Sequence, residues 1–280
     1  MYNPQNIKEL ISKHNLHINK RFGQNFLIDK GKRDKMISLC NIRSTDIVLE
    51  IGPGLGALTE AILPGSSSVI AIEKDRGIAG ILRGIYAEDE KLEILNKDIL
   101  KYPIPALSSK LKVIGNLPYY ITSPIIFHLL RSRDSIDSIF ITVQKDVAER
   151  ILSIPGKKNY GLLSLGVQYY CQVSRLCALP KGCFFPVPSV DSIFLSLIIR
   201  KKPLIDVKDE RLLFTIMKAG FNRRRKTLFN ALSKGVIASI DRSLLEEAFV
   251  VTGLESNIRA EELSLERFAE LSDALSSLHQ

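Results

Sequence analysis

The stretch Ile47-Val48-Leu49-Glu50-Ile51-Gly52-Pro53-Gly54-Leu55-Gly56 decides the fold of this chain. Its first half is an apolar, β-branched run of strand length. Its second half is a glycine loop, and a helical segment follows at 58–63. Strand, glycine loop and helix in that order open a βαβ unit, in which the missing side chains let the backbone turn tightly and approach a ligand at the helix N-terminus. Short β-branched runs recur at 69–73, 92–95, 111–115 and 139–143, with helical segments between them such as 125–130. That alternation predicts a parallel sheet covered on both faces, a Rossmann-like doubly wound α/β domain. Two later runs, 174–179 and 192–199, flank the Pro-rich loop Phe184-Phe185-Pro186-Val187-Pro188 and read as strands closing one edge.

The charge run Arg200-Lys201-Lys202 followed by Pro203 ends this pattern and marks a linker. Beyond it the chain reads as helix. Met217, Phe221, Leu228 and Leu232 share one helical stripe, and 244–251 and 265–275 give two more helices. The expected organisation is a large domain at 1–202 and a small all-helical domain at 203–280.

Composition bounds the function. With 280 residues, 45% of them hydrophobic, the chain can bury a sizeable core. No apolar stretch is long enough to span a membrane, and residues 1–19 carry Lys, Glu and His where a secretion signal would be apolar, so a cytosolic protein is expected. The cysteines Cys40, Cys171, Cys177 and Cys183 have no C-x-x-C spacing, and His14, His17, His128 and His279 form no cluster. Reduced, buried thiols and no metal are the expectation. A formal charge of +9, from 39 Lys plus Arg against 30 Asp plus Glu, favours a polyanionic partner such as nucleic acid.

The loop alone does not choose its ligand. Gly52-x-Gly54-x-x-Ala57 satisfies a relaxed dinucleotide fingerprint, with Glu73 about 20 residues on at the position of an acidic ribose ligand. Two features decide against NAD. Glu50 at the strand end and Pro53 inside the loop put a carboxylate and a stiff ring where a pyrophosphate needs free N–H groups. S-adenosyl-L-methionine has no phosphate and carries a cationic sulfonium and amino group, so a nearby carboxylate is favourable. Asp98, at a later strand exit in Asn96-Lys97-Asp98, is placed to meet the adenine amino group of such a donor.

Asn116-Leu117-Pro118-Tyr119, at the end of the run containing Leu111, Val113 and Ile114, is a device for methylating an exocyclic amine. The amino group of adenine is conjugated with its ring, which leaves its lone pair a poor nucleophile. The Asn116 side-chain oxygen and the carbonyl before Pro118 can accept both N–H bonds and turn that lone pair toward an electrophile. Tyr119 can stack on the ring.

With these motifs assembled, the chain resembles the ribosomal RNA adenine dimethyltransferases of the kasugamycin-sensitivity family, nearly end to end. The resemblance runs through Arg21-Phe22-Gly23-Gln24-Asn25-Phe26-Leu27, the loop at 50–56, and Asn116-Leu117-Pro118-Tyr119 with Ile121-Thr122-Ser123-Pro124. It continues through Gln144-Lys145-Asp146-Val147-Ala148, Tyr160-Gly161-Leu162-Leu163-Ser164 and Phe184-Phe185-Pro186-Val187-Pro188-Ser189-Val190-Asp191-Ser192. Phe221-Asn222-Arg223-Arg224-Arg225-Lys226-Thr227-Leu228 and Arg259-Ala260-Glu261-Glu262-Leu263 complete it.

The resemblance implies a class I methyltransferase fold and dimethylation of two adjacent adenosines near the 3′ end of small-subunit ribosomal RNA, with the small ribosomal subunit as partner and a role in its biogenesis. It implies a monomer, and donor contacts at Asn25, Leu27, Gly52, Glu73 and Asp98. Asn116 is then shared by donor and target amine, while Tyr119 and Phe184 are similar to an aromatic pair that sandwiches a flipped adenine. One position departs from the family: Ser189 stands where a Lys is usual, so no phosphate contact is expected there. The run Arg223-Arg224-Arg225-Lys226, flanking the apolar stripe of a helix, is expected to meet RNA phosphates.

The implied chemistry is in-line transfer of a methyl group to a neutral amine, in which positioning carries the catalysis and no side chain need be a strong base. Two readings compete with it: a large-subunit adenine methyltransferase of the macrolide-resistance type, and a chiefly non-catalytic ribosome assembly factor. A DNA adenine methyltransferase shares the Asn-x-Pro-Tyr chemistry but needs a sequence-reading module, for which the chain has no candidate.

Overall fold

The computed structural model describes residues 4–14, 24–233 and 240–278. Arg21, Phe22 and Gly23 of the N-terminal motif, residues 15–19 before it, His17 and His279 lie outside the described residues. The chain packs as two compact units, Met1–Ala148 with Gln172–Ile199, and Glu149–Cys171 with Arg200–Gln280.

In chain order the strands are β1 (Phe26–Leu27), β2 (Ile47–Ile51), β3 (Ser68–Glu73), β4 (Leu92–Asn96), β5 (Leu111–Asn116), β6 (Ile136–Gln144), β7 (Cys171–Leu179), β8 (Phe184–Phe185) and β9 (Ser192–Ile199). Seven of them form one sheet in the order β4-β3-β2-β5-β6-β9-β7. From β4 to β6 neighbours run parallel, and β9 returns antiparallel to β6. The central strands are apolar on both faces, with Val48, Leu49, Leu111, Val113 and Ile114 fully buried, as a sheet covered on both sides requires. The order of connection reverses at β2, which is flanked by β3 on one side and β5 on the other. In doubly wound sheets a crevice opens outside the carboxyl ends of the strands at this switch point.

Several elements near the cleft were not anticipated, among them a helix and a pair of short strands. The helix Pro4–Lys13 places Ile7, Leu10 and Ile11 against Phe26, Leu55, Ile78 and Ile81, a small apolar cluster over the glycine loop. The short β1 and β8 pair antiparallel, with Phe26 opposite Phe185 and Leu27 opposite Phe184. This pair stitches the end of the N-terminal motif to the Pro-rich loop.

The second unit differs from the domain expected at 203–280, because the segment 149–171 packs with the helices after the linker. Its helix Leu162–Tyr170 supplies Tyr170, whose ring stacks on Phe214 at 5.6 Å and whose hydroxyl donates to Glu210 Oε1 at 2.7 Å. Those contacts join residues far apart in sequence and leave no local signature. The single stripe expected through Met217, Phe221, Leu228 and Leu232 is broken into two helices, Glu210–Asn222 and Leu228–Leu232. Thr227 starts the second, its hydroxyl capping the Asn230 N–H at 3.3 Å. Residues 223–227 therefore form a turn, and the four cations lie on it rather than on a helical face. Among the described residues no helix is long and apolar enough to cross a membrane.

Candidate active site

The carboxyl ends of β2, β3, β4 and β5 surround a cleft of about 940 Å³, part of it open to solvent. Asn25, Leu27, Gly52, Glu73, Asp98 and Asn116 all line it, so the six residues expected to meet the donor are brought to one place. Pro118 lines it as well, whereas Leu117, Tyr119 and Phe184 are not on its wall.

The glycine loop forms the floor. Gly54 adopts φ +57°, and its N–H donates to Glu73 Oε2 at 3.2 Å, which ties the loop to the end of β3. Gly56 starts the helix Ala57–Ile62 at φ +90°, and a Cβ there would sit 2.9 Å from Leu82. Only glycine satisfies both the backbone angle and the space.

Glu73 is 9% exposed, and its second oxygen accepts the Asp75 N–H at 2.9 Å. Burial raises its pKa above the ordinary carboxylate value, against the opposing pull of those backbone N–H groups. Asp98 behaves oppositely. Partial desolvation pushes its pKa up, but the Lys74 ammonium at 2.9 Å, the Leu100 N–H and the charges of Lys74 and Lys101 together bring it below the usual range. The cleft thus carries two carboxylates on neighbouring strand ends, one of them held ionised by a lysine that sequence reading passed over.

Glu50 departs from its expected role. Its side chain is 0% exposed and turns away from the cleft, where Oε2 accepts the Thr59 hydroxyl at 2.6 Å and Oε1 has no partner among the described residues. Along a strand buried on both faces successive side chains alternate, and Glu50 faces the helix that follows β2. Burial pushes its pKa up to about 8, the Thr59 bond opposing and the nearby Glu73 charge adding to the shift. The folded state therefore keeps a proton that the unfolded chain releases at an ordinary carboxylate pKa. Stability is full at low pH and is lost as pH rises toward about 8. The melting temperature is expected to fall by a few degrees between about pH 6 and pH 8 and to fall less in Glu50→Gln, a difference that thermal melts would read directly. Parallel curves for the two proteins would refute it.

Asn116 is the most informative side chain in the cleft. Its Nδ2 donates to the Asn25 carbonyl at 2.8 Å, which fixes the rotamer and the orientation of the amide. Its Oδ1 is buried and has no partner among the described residues. A buried acceptor left open in this way forgoes a hydrogen bond, a cost that a ligand donor in the cleft would remove. The Leu117 N–H is anchored to the Thr142 carbonyl at 3.2 Å, and Pro118 then fixes the turn into the helix Thr122–Arg131.

Tyr119 is half-buried, its hydroxyl 2.7 Å from Ser192 Oγ on β9. Desolvation raises its pKa above the ordinary phenol value despite that bond, so the phenol is neutral at physiological pH and unsuited to act as a base. Phe184, the expected second face of an aromatic sandwich, is 1% exposed. Its pairing with Leu27 turns the ring into the core among Cys183, Leu179 and Phe194. It therefore offers no stacking face as placed here. Two aromatic residues line the cleft, the buried Phe26 and Tyr120, which is 50% exposed and for which the sequence had suggested no role.

A match to the ribosomal RNA adenine dimethylase family covers residues 15–276. The chain belongs to that family. It is 39% identical over 279 residues to a ribosomal RNA small subunit methyltransferase A from Lachnoclostridium phytofermentans, spanning 97% of this chain and 96% of the relative. It is 40% identical over 271 residues to the protein of that name from Clostridium perfringens, spanning 96% and 94%. Among solved structures, a dimethyladenosine transferase from Plasmodium falciparum superposes with a TM-score of 0.71 at 27% identity, covering 87% of this chain and 94% of that one. The 23S rRNA methyltransferase ErmE shares the fold, with a TM-score of 0.67 at 23% identity over 90% of this chain and 100% of its own. The protein is an enzyme, an rRNA adenine dimethyltransferase with the doubly wound methyltransferase fold.

All four cysteines are free and buried, and burial pushes the thiols of Cys40 and Cys171 up to about 12, which leaves them unreactive. Among the described residues no group of three or more His, Cys, Asp and Glu could hold a metal. Of the four cations at 223–226, Arg224 is held internally: its Nε lies 2.5 Å from Glu261 Oε2, and its guanidinium also donates to the Lys158 carbonyl.

Proposed function

We propose that this chain uses S-adenosyl-L-methionine to dimethylate N6 of two adjacent adenosines near the 3′ end of small-subunit ribosomal RNA, acting during maturation of that subunit. The observation that carries the reading is the open, buried Oδ1 of Asn116 on the cleft wall, with its Nδ2 tethered to Asn25. The residues present fit the donor. A cation without phosphates suits a cleft with Glu73 and Asp98 on its wall and Pro53 in its loop.

Asn25, Leu27, Gly52, Glu73, Asp98 and Asn116 would hold S-adenosylmethionine, which supplies an electrophilic methyl group on a sulfonium. The chain's own residues then act on the target. Asn116 Oδ1 and the Leu117 carbonyl accept the two N–H groups of the adenine amine, with Pro118 fixing the angle between them, and they stabilise the positive charge that develops on nitrogen. Tyr119 supplies a ring surface for the extruded base, and the proton leaves to water. Phe184 supports this site from the core and is given no stacking role.

The names of the relatives at 39 and 40% identity support small-subunit RNA over large-subunit RNA. Primer-extension mapping of ribosomal RNA from cells lacking this protein tests the reading. Two adjacent unmethylated adenosines near the 3′ end of the small-subunit RNA are expected, restored by the wild-type chain. A gap in large-subunit RNA together with macrolide sensitivity would overturn it, as would full methylation without the protein.

A further inference from the structure

The second unit carries a basic surface larger than the run at 223–226. Residues 154–159 form an exposed loop containing Lys157 and Lys158, and 222–226 form a second exposed segment containing Arg223, Arg225 and Lys226. One bond joins the two segments directly, Glu261 bridges them, and an aromatic contact lies beside them. Arg224 donates from one to the Lys158 carbonyl of the other, and its Nε pairs with Glu261 at 2.5 Å. The Gly156 N–H donates to the carbonyl of that same Glu261 at 2.8 Å. Beneath the surface the Tyr160 ring meets Phe221 edge-on at 6.0 Å. A loop with no regular structure is thus pinned at both ends beside the turn that carries the other cations.

The pinning uses up one cation and leaves five. Glu261 is neutralised by Arg224, and the other carboxylate at the loop, Glu149, accepts from Asn159 Nδ2 at 3.4 Å. Among the described residues Lys157, Lys158, Arg223, Arg225 and Lys226 have no ion-pair partner. Five cations without an ion-pair partner among the described residues, on two braced segments, outnumber the one carboxylate at the loop that no cation pairs, Glu149, and make a concentrated positive field. Such a field matches a phosphodiester backbone, which presents closely spaced fixed charges and displaces counterions on binding.

We propose that Lys157 and Lys158 join Arg223, Arg225 and Lys226 in a single RNA-phosphate surface, with Arg224 as the bracket that holds the two segments in register rather than as a phosphate ligand. The proposal rests on the reading of the substrate as ribosomal RNA. It adds a second contact segment and assigns Arg224 a different task from its neighbours.

The test measures affinity for unmethylated small ribosomal subunits as a function of salt. Lys157→Ala/Lys158→Ala is expected to lower the slope of log K against log salt by about 1.4 to 1.8, on the basis of about 0.7 to 0.9 per lost phosphate contact. Lys157→Arg/Lys158→Arg should restore it. Arg225→Ala/Lys226→Ala should give a loss of similar size, because the two segments act as one surface. Binding of S-adenosylhomocysteine by calorimetry and the melting temperature should not change in any of these variants, which separates a surface effect from unfolding. A wild-type slope in Lys157→Ala/Lys158→Ala makes the loop a solvated rim and overturns the proposal. A slope loss seen with subunits but absent with a protein-free transcript of the same RNA would assign the surface to a ribosomal protein, which overturns it equally. Failure of the wild-type protein to methylate subunits is a different result, and it removes the functional reading itself.

Discussion

Asn116→Ala is expected to cut the single-turnover methylation rate of unmethylated small subunits about 10²-fold or more at saturating donor, the scale on which a preorganised polar partner of a transition state acts. Subunit binding should survive, because the substitution touches no element of the basic surface. The size of the effect follows from the tether. Nδ2 is held by the Asn25 carbonyl at 2.8 Å, so Oδ1 is already aimed before any ligand arrives and loses little freedom on binding. Asn116→Asp sharpens the test. It keeps an acceptor at Oδ1 but sets a carboxylate oxygen against the Asn25 carbonyl, so the tether becomes repulsive and the rate should fall although the acceptor chemistry is retained. Tyr119 should fail differently. Tyr119→Ala loses about 1 to 3 kcal/mol of base capture. Tyr119→Phe keeps the ring but leaves the fully buried Ser192 hydroxyl without its partner at 2.7 Å, so it should lower the melting temperature more than the rate. A folded Asn116→Ala protein that transfers methyl groups at the wild-type rate would refute the proposed chemistry.

The strands were legible because their signal is local. A short, mostly apolar run bounded by turn residues, such as 192–199, reads as a strand, and β9 occupies those residues. The residues expected to meet the donor share one cleft for a related reason: strand ends in a doubly wound sheet converge, so residues just after successive strands meet in one crevice. What escaped depends on contacts between distant segments. Phe184 and Phe185 are adjacent aromatics, and only the pairing of β8 with β1 decides which ring turns inward. Arg224 looks like its three neighbours until Glu261 and Lys158 are brought to it. Glu50 lies on a strand covered on both faces, where apolar patterning does not distinguish the helix side from the cleft side. The helix Pro4–Lys13 is another case. The spacing of Ile7, Leu10 and Ile11 carried its signal, and the charges between them drew attention instead.

Glu73→Ala is expected to weaken S-adenosylhomocysteine binding by roughly 10- to 150-fold, the equivalent of about 1.5 to 3 kcal/mol for hydrogen bonds to a charged group. The carboxylate has two tasks. It faces the cleft, where it can accept ribose hydroxyls, and it clamps the glycine loop through the Gly54 N–H at 3.2 Å while accepting from Asp75 at 2.9 Å. Loss of the clamp alone would loosen the loop without removing a ligand contact, so Glu73→Gln separates the tasks by retaining size and one acceptor while removing the charge. The pH dependence separates them further. Burial raises the Glu73 pKa, whereas at Asp98 desolvation is outweighed by the Lys74 bond, the Leu100 N–H and the charges of Lys74 and Lys101 acting together, which hold it low. The acid limb of donor binding should therefore report Glu73, with affinity rising as pH climbs through its elevated pKa and that rise missing in Glu73→Gln. Calorimetry across pH, with the melting temperature measured alongside to confirm an intact fold, reads both effects. Unchanged affinity in Glu73→Ala, or an acid limb that persists in Glu73→Gln, would remove Glu73 from the donor site and leave it as a brace for the loop.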